Sequence, residues 1–287
     1  MASLPPIKSK VEKLPLSSIP DTVLEAIMRT IANYTVGLLR IENGEHGKNL
    51  ILVGSGTLIT VNGIHAILTA HHVVEALPAI GELGLAYSQR LSYGVISTNG
   101  LQYIRIARGT VDSEGPDLGA IILFPPIASS LAANKSFHNL DRSRTMLLSD
   151  PPPVGDGMWV VQGFIAERTK EKLDFEQRKK VVRFFELSSS GSVKPYTIGD
   201  YDYFEVPIKY SSHRAIPKSY GGTSGGGLWQ VRLKRKGSEG EIIPDTVPIL
   251  SGVAFYQEGI ESEQSALRCH GRRSVYGTAY ETISRRR

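Results

Sequence analysis

The chain has 287 residues, 41% hydrophobic and 21% charged, with a formal net charge of +5 and one cysteine, Cys269. That balance suits a folded chain with apolar residues enough for one large or two small cores. A single cysteine excludes an internal disulfide, no run approaches the roughly 18–20 apolar residues of a membrane span, and a reducing cytoplasm is the expected compartment.

Residues 1–20 carry Pro5, Pro6, Pro15 and Pro20 and read as a flexible N-terminal arm without the apolar segment of a secretory leader. A docking helix is expected over 21–34, where Val23, Ile27 and Ile31 recur every four residues and Leu24 and Met28 widen the stripe. Asp21 or Thr22 is placed to cap it, and Glu25 stands three residues after Thr22 in capping-box spacing. From Tyr34 the texture changes to short β-type runs separated by Gly, Asn, Pro and Ser. YTVGLLRIE, ILVGSGTLITV, HAILTA, LQYIRIARGTV and LGAIILF fall within 35–130. A polar, proline-rich stretch around 131–150 reads as a connector, and 151–287 holds MWVVQGFIA, KVVRFFELS, YDYFEVPI, LWQVRL and PILSGVAFY. Closely spaced strands with turn signals between them indicate an all-β chain, with enough strands for two barrels. The segment AERTKEKLDFEQRKK is too charged for a half-buried strand and is expected to be a surface excursion or short helix. The basic runs RLKRK (232–236), RKK (178–180) and RRR (285–287) come without a zinc-finger, helix-turn-helix or RNP-like motif, so they read as solvated faces and nucleic acid is not an expected partner.

The stretch YGGTSGGGLWQ (220–230) sets one serine in a run of glycines. Glycine loses the most conformational entropy on folding, so such a run needs either a linker role or a close approach to the backbone. The flanks, Tyr203 to Ile208 before and Leu228 to Leu233 after, are strand-like, which favours the close approach. A serine hydroxyl is a weak nucleophile: it needs a base, a group to orient that base, and donors for the developing oxyanion. Amides of Gly222, Thr223 and Ser224 are candidate donors. AILTAHHVVEAL (66–77) is an apolar strand that ends at two histidines and a helical turn, and GPDLGAIIL (115–123) puts Asp117 at the mouth of another.

Taken together, these fragments resemble the trypsin-like serine proteases of the chymotrypsin-fold clan, closest to the disulfide-free bacterial branch that includes the HtrA proteases. GSGTLI (54–59) matches a Gly-Ser-Gly strand, and Thr69 to Val74 match Thr-x-x-His-Val-Val. Asp117-Leu118-Gly119 matches Asp-[Leu/Ile]-Ala with glycine for alanine, and VGDGMWVVQGF the Gly-Asp-x-Val strand that opens the second barrel. GTSGGGL matches Gly-x-Ser-Gly-Gly-Pro-Leu, and LSGVAFY the strand that pairs with the substrate backbone. The likeness runs over roughly residues 35–285.

The resemblance implies two six-stranded antiparallel Greek-key barrels and an endopeptidase acting on proteins or peptides without a cofactor or metal. Ser224 would be the nucleophile, His72 the general base and acid, and Asp117 the group that holds the imidazole. The amides of Gly222 and Ser224 would form the oxyanion hole, and Ala254, Phe255 and Tyr256 would line the substrate strand. It puts Lys218 at the floor of the primary specificity pocket, favouring an acidic substrate side chain; the competing reading is a solvent-facing lysine. His71 is expected to be packed or on the surface. RCHG (268–271) is a metal half-site, a reactive thiol or, the preferred reading, a buried structural cysteine. Thr223 stands where zymogen-type members carry aspartate, which argues against activation by a new amino terminus. Gly227 stands where proline is usual, implying a looser loop and a site set by a regulatory partner or by the N-terminal arm. The alternative function is a catalytically silent protease-like fold that serves as a binding or regulatory module.

Overall fold

A computed structural model describes residues 18–44, 47–87, 93–109, 115–174, 179–208, 217–236, 240–259 and 265–286. All but the last three residues of the expected N-terminal arm lie outside them. The first helix, α1 (Asp21–Ala32), buries Ile27 and Ile31 as the four-residue spacing requires. Its N-cap is Pro20 and carries no side-chain cap bond, so the capping box does not form. Asp21, inside the first turn, instead sets a negative charge at the positive end of the helix.

Strands β1 (Thr35–Gly44), β2 (Gly47–Val61) and β3 (Ile64–Thr69) form an antiparallel meander, and a helical turn α2 (His71–Ala76) follows. Then come β4 (Glu82–Ala86), β5 (Tyr93–Ser97), β6 (Leu101–Arg108) and β7 (Asp117–Leu123). Helix α3 (Pro125–Ala132), the short strand β8 (His138–Asn139) and helix α4 (Arg144–Ser149) occupy the expected connector and its approach. This first sheet runs β5-β4-β1-β2-β3-β7-β6, with β8 laid parallel against β2.

The second half contains β9 (Met158–Asp174), β10 (Lys179–Gly191), β11 (Lys194–Ile198), β12 (Tyr201–Pro207) and β13 (Gly227–Val231). A small hairpin, β14 (Leu233–Arg235) and β15 (Ile242–Pro244), precedes β16 (Ile249–Glu258) and β17 (Ala266–His270). The second sheet runs β10-β9-β13-β16-β17-β12-β11. A π-helical turn over Ser274–Ala279 and α5 (Tyr280–Ser284) follow it.

The fold is therefore mostly β and, β8 aside, antiparallel. The expected count and closure of the barrels are corrected: eight strands stand in one sheet and seven in the other, and among the described residues no pairing closes either series. The charged segment after Ala166 is corrected too. It continues β9 to Asp174 and pairs back from Lys179 as β10, with partners such as Val182 and Glu171 in register. A two-stranded ribbon satisfies its backbone by pairing alone and does not need the apolar face that its composition lacks.

Each sheet has its own core. Leu38, Leu58, Ile67, Val73, Leu85 and Ile121 pack in the first. Val161, Ile165, Phe204, Leu228 and Cys269 pack in the second. A third cluster joins them, with Ile59, Leu68 and Ala120 against Val160, Trp229, Leu250 and Val253, and Ile27 and Ile31 of α1 cover it. Trp229 is fully buried and stacks on Tyr34 at 5.3 Å between centroids, tying the start of β1 to the centre of the second sheet.

Candidate active site

His72 sits one residue into α2, where β3 has just ended. Six residues make a marginal helix alone, and this one is held by burial of Val73 and Val74 against the sheet. Gly119 lies where a side chain would crowd the helix: a Cβ there would be 2.7 Å from Val74 Cγ2 and 3.3 Å from the Ala70 carbonyl oxygen. The helix could not dock so closely on β7 otherwise.

Both oxygens of Asp117 hold residue 72. Oδ1 accepts its backbone N–H at 2.9 Å, and Oδ2 lies 2.5 Å from the imidazole Nδ1. The imidazole is half-exposed while the carboxylate is 14% exposed. Burial pushes the Asp117 carboxyl up, but the hydrogen bonds and charge of His72 outweigh it, His270 adds to them, and the carboxyl ends below its ordinary value. Asp117 is thus held as a carboxylate beside Nδ1, an arrangement that favours the tautomer with its proton on that nitrogen. His71 points elsewhere: it is 6% exposed, with Nε2 3.4 Å from Glu75 one turn on.

Ser224 comes from the other sheet, in the loop before β13. His72, Asp117 and Ser224 line one cavity of about 360 Å³, walled by Ser219, Tyr220, Gly221 and Thr223 on one side and Phe255, Tyr256 and Gln257 on the other. The Ser224 hydroxyl donates to the Phe255 carbonyl oxygen at 3.3 Å rather than to the imidazole.

The loop amides divide into two sets. Those of Gly221, Thr223, Gly225 and Gly226 donate to Ser219 Oγ and to the carbonyl oxygens of Tyr220, Ala254 and Thr223. The amides of Gly222 and Ser224 donate to no acceptor among the described residues. Their direction is fixed from behind. The Gly221 carbonyl accepts from Ala166 N–H at 2.8 Å and the Thr223 carbonyl from Gly226 N–H at 2.8 Å. In a trans peptide the N–H points opposite to the C=O, so both free amides face away from these anchors. Gly222 has φ +92°, and Gly225 has φ +90° with only 2.0 Å between a hypothetical Cβ and the Ser55 carbonyl oxygen, so glycine is required at both.

Two groups that bind the halves together have no role assigned from the sequence. Ser55, fully buried on β2, donates its N–H to the Ser224 carbonyl at 2.7 Å and its hydroxyl to the Gly222 carbonyl at 2.6 Å, while that hydroxyl accepts from Phe164 N–H at 2.8 Å. The signal was in plain view as the Gly-Ser-Gly strand. His270, at the end of β17, accepts the Asp117 N–H at Nε2 at 2.9 Å. It packs among Tyr203 and Phe255 with centroids at 5.2 and 4.8 Å, and burial, against the pull of Asp117 and Asp202, pushes its pKa down to about 4. Its sequence context, RCHG, pointed to the cysteine instead. Cys269 is a free, fully buried thiol pushed up by that burial, in line with the structural reading.

Other expectations fare differently. Phe255 and Tyr256 line the cavity, but Ala254 is 1% exposed and reaches the site only by its backbone, accepting from Gly225 N–H. Lys218 is exposed and is not among the residues that line the cavity, which matches the competing, solvent-facing reading; its backbone N–H donates to Glu167 and its carbonyl accepts from Gln257. Thr223 is buried and its hydroxyl closes the loop onto the Tyr220 carbonyl at 2.6 Å, a place that a charged aspartate would not tolerate unpaired. Gly227 does not loosen the loop, because it is seated between Gln162 and Val253 in two ladders. In the run RLKRK, Lys234 lies 3.0 Å and Arg232 3.8 Å from Asp245. Among the described residues no helix is long and apolar enough to cross a membrane.

No protein-family model matches the chain, and no curated protein matches it.

Proposed function

We propose that the chain is a serine endopeptidase of the chymotrypsin-like kind, with its two sheets as the two sides of the cleft in which the reaction runs. One observation carries the reading. Ser224 shares one cavity with the His72–Asp117 pair, and its loop carries two amides, those of Gly222 and Ser224, that donate to no acceptor among the described residues.

In this reading the Ser224 hydroxyl turns about its Cα–Cβ bond from the Phe255 carbonyl toward His72. Nε2 takes its proton as Oγ attacks the substrate carbonyl carbon, and the oxygen gathers charge against Gly222 N–H and Ser224 N–H. The imidazolium, steadied by Asp117, returns the proton to the departing amine. Water then repeats the sequence to free the acid and restore Ser224. The buried free thiol of Cys269 asks for no oxidising folding route, which suits the cytoplasm.

A fluorophosphonate probe tests the chemistry, because only an activated serine reacts. The protein is expected to label stoichiometrically and Ser224→Ala not at all; equal labelling of both, or of neither, rejects the proposal. The second reading, a silent binding module, draws on the resting bond from Ser224 to Phe255. It calls for a folded protein that stays unlabelled. Labelling at full rate without additions would also remove the need for a gating partner.

A further inference from the structure

We infer that Gln257 bars the acyl side of the cavity and restricts the site to substrates with a small, uncharged side chain next to the scissile carbonyl. The inference rests on the proposed acyl transfer for its orientation. The leaving amine must lie beside His72 to be protonated, and the carbonyl oxygen must face Gly222 and Ser224 N–H. The acyl residue then projects the other way, between the segment Ser219–Gly221 and the strand Tyr256–Gln257, which are the remaining walls of the cavity.

The Gln257 side chain spans that gap. Its Oε1 accepts from Tyr220 N–H at 2.7 Å, and its Nε2 donates to the Lys218 carbonyl oxygen at 3.2 Å. Both ends of the amide are thus anchored on the opposite wall. Tyr220 is 4% exposed, so swinging Gln257 out would break two hydrogen bonds beside a buried residue, and a substrate side chain cannot displace it cheaply. The anchoring wall is itself fixed from outside by Glu167, whose carboxylate accepts from Lys218 and Ser219 N–H at 3.2 and 2.6 Å. The wall therefore does not yield to make room.

Charge selects in the same direction as size. Among the described residues the cavity wall holds no lysine or arginine to receive an acidic side chain. The carboxylate it does hold, Asp117, is engaged by His72 on the leaving-group side and is not offered to a basic one. What fits beside the glutamine bar is glycine, alanine or serine.

Two measurements separate this inference from the proposed chemistry. The first needs no reactive serine. Acetylated tripeptides that end in alanine, phenylalanine, lysine or glutamate carboxylate are titrated into Ser224→Ala, followed by chemical shifts of the Gln257 side-chain amide. The alanine peptide is expected to bind at least about tenfold tighter than the other three. Comparable binding of the phenylalanine, lysine or glutamate peptide, or no response at Gln257, overturns the inference. The second compares labelling of the native protein by peptidyl diphenyl phosphonates with the same four side chains. Alanine is expected to lead by about 100-fold, and Gln257→Gly to shrink the alanine-to-phenylalanine ratio more than about tenfold. An unchanged ratio in Gln257→Gly overturns the bar. If the titration gives the expected order and no phosphonate reacts, the bar stands and the acyl-transfer reading falls.

Discussion

The two halves of the molecule bring unlike things to the cleft. The first sheet delivers side chains, a histidine and an aspartate already joined by two hydrogen bonds. The second delivers mostly backbone, two aimed amides and a hydroxyl whose resting partner is another carbonyl. In the proposed reaction the first half would work by charge and tautomer, which a change of one functional group destroys. The second would work by the direction of peptide groups, which depends on anchors lying some residues away. Damage to each half should look different.

The largest effect is expected from the charge half. In Asp117→Asn the amide fills the same space and its Oδ1 still accepts His72 N–H. Its NH₂ would face Nδ1, forcing the imidazole proton onto Nε2 and leaving no lone pair there to take the serine proton. Labelling and peptide hydrolysis should fall by about 10⁴-fold, with the fold intact by circular dichroism. A loss below tenfold would mean that the carboxylate only braces the helix.

Ser55→Ala strikes the other half and leaves the His72–Asp117 pair untouched. It removes the hydroxyl that donates to Gly222 C=O and accepts from Phe164 N–H, both at a fully buried position. The buried Phe164 N–H and the part-buried Gly222 carbonyl then lose this partner, at a stability cost of about 1–3 kcal/mol for the buried group unless water enters. The Gly222–Thr223 peptide, which lies between the two free amides, loses its brace while the Gly221 carbonyl keeps its bond to Ala166 N–H. The residues that carry both amides can then shift, and kcat should fall by up to about 10²-fold with little change in KM. A variant that is destabilised in urea melts yet turns over at the native rate would show that Ser55 is only a structural clamp.

This asymmetry also explains what can be read from the sequence. Side chains that do chemistry are visible as letters, so His72, Asp117 and Ser224 stand out at the ends of apolar runs. A peptide's direction is not a letter, and the glycines signal only that something has to turn or come close there. Ser55 is in view within a matched strand, but its partners Gly222 and Phe164 are 167 and 109 residues away. Lys218, for which the sequence leaves a pocket floor and a solvent-facing place both open, shows the opposite difficulty. A charge at a promising spacing draws attention, whereas the uncharged Gln257 crosses the gap. The hairpin of β9 and β10 escapes a compositional reading because composition reports burial, and that ribbon is made by pairing.

The smallest predicted effect concerns acid stability and sets one histidine from each side of the molecule against the other. His138, in the connector strand laid on β2, is buried between Tyr34 and Trp229, and burial, with Arg142 adding to it, pushes its pKa down to about 4. His270 behind Asp117 is pushed down to the same value, mainly by burial. In the unfolded chain each takes a proton near 6.5; in the folded chain each refuses it until about 4. The unfolded state therefore binds more protons across that window, and stability, complete above pH 6.5, is lost as pH falls, by up to about 3 kcal/mol per histidine. Asp117, lowered from its ordinary value, continues the loss only at still lower pH. Urea midpoints from pH 7.5 to 4.5 should show the decline, and His138→Phe and His270→Phe should each flatten part of it. Only the second should also slow labelling of Ser224, since only His270 holds the Asp117 backbone. Equal rates in the two variants would place His270 among the packing residues and leave the charge half of the cleft resting on His72 and Asp117 alone.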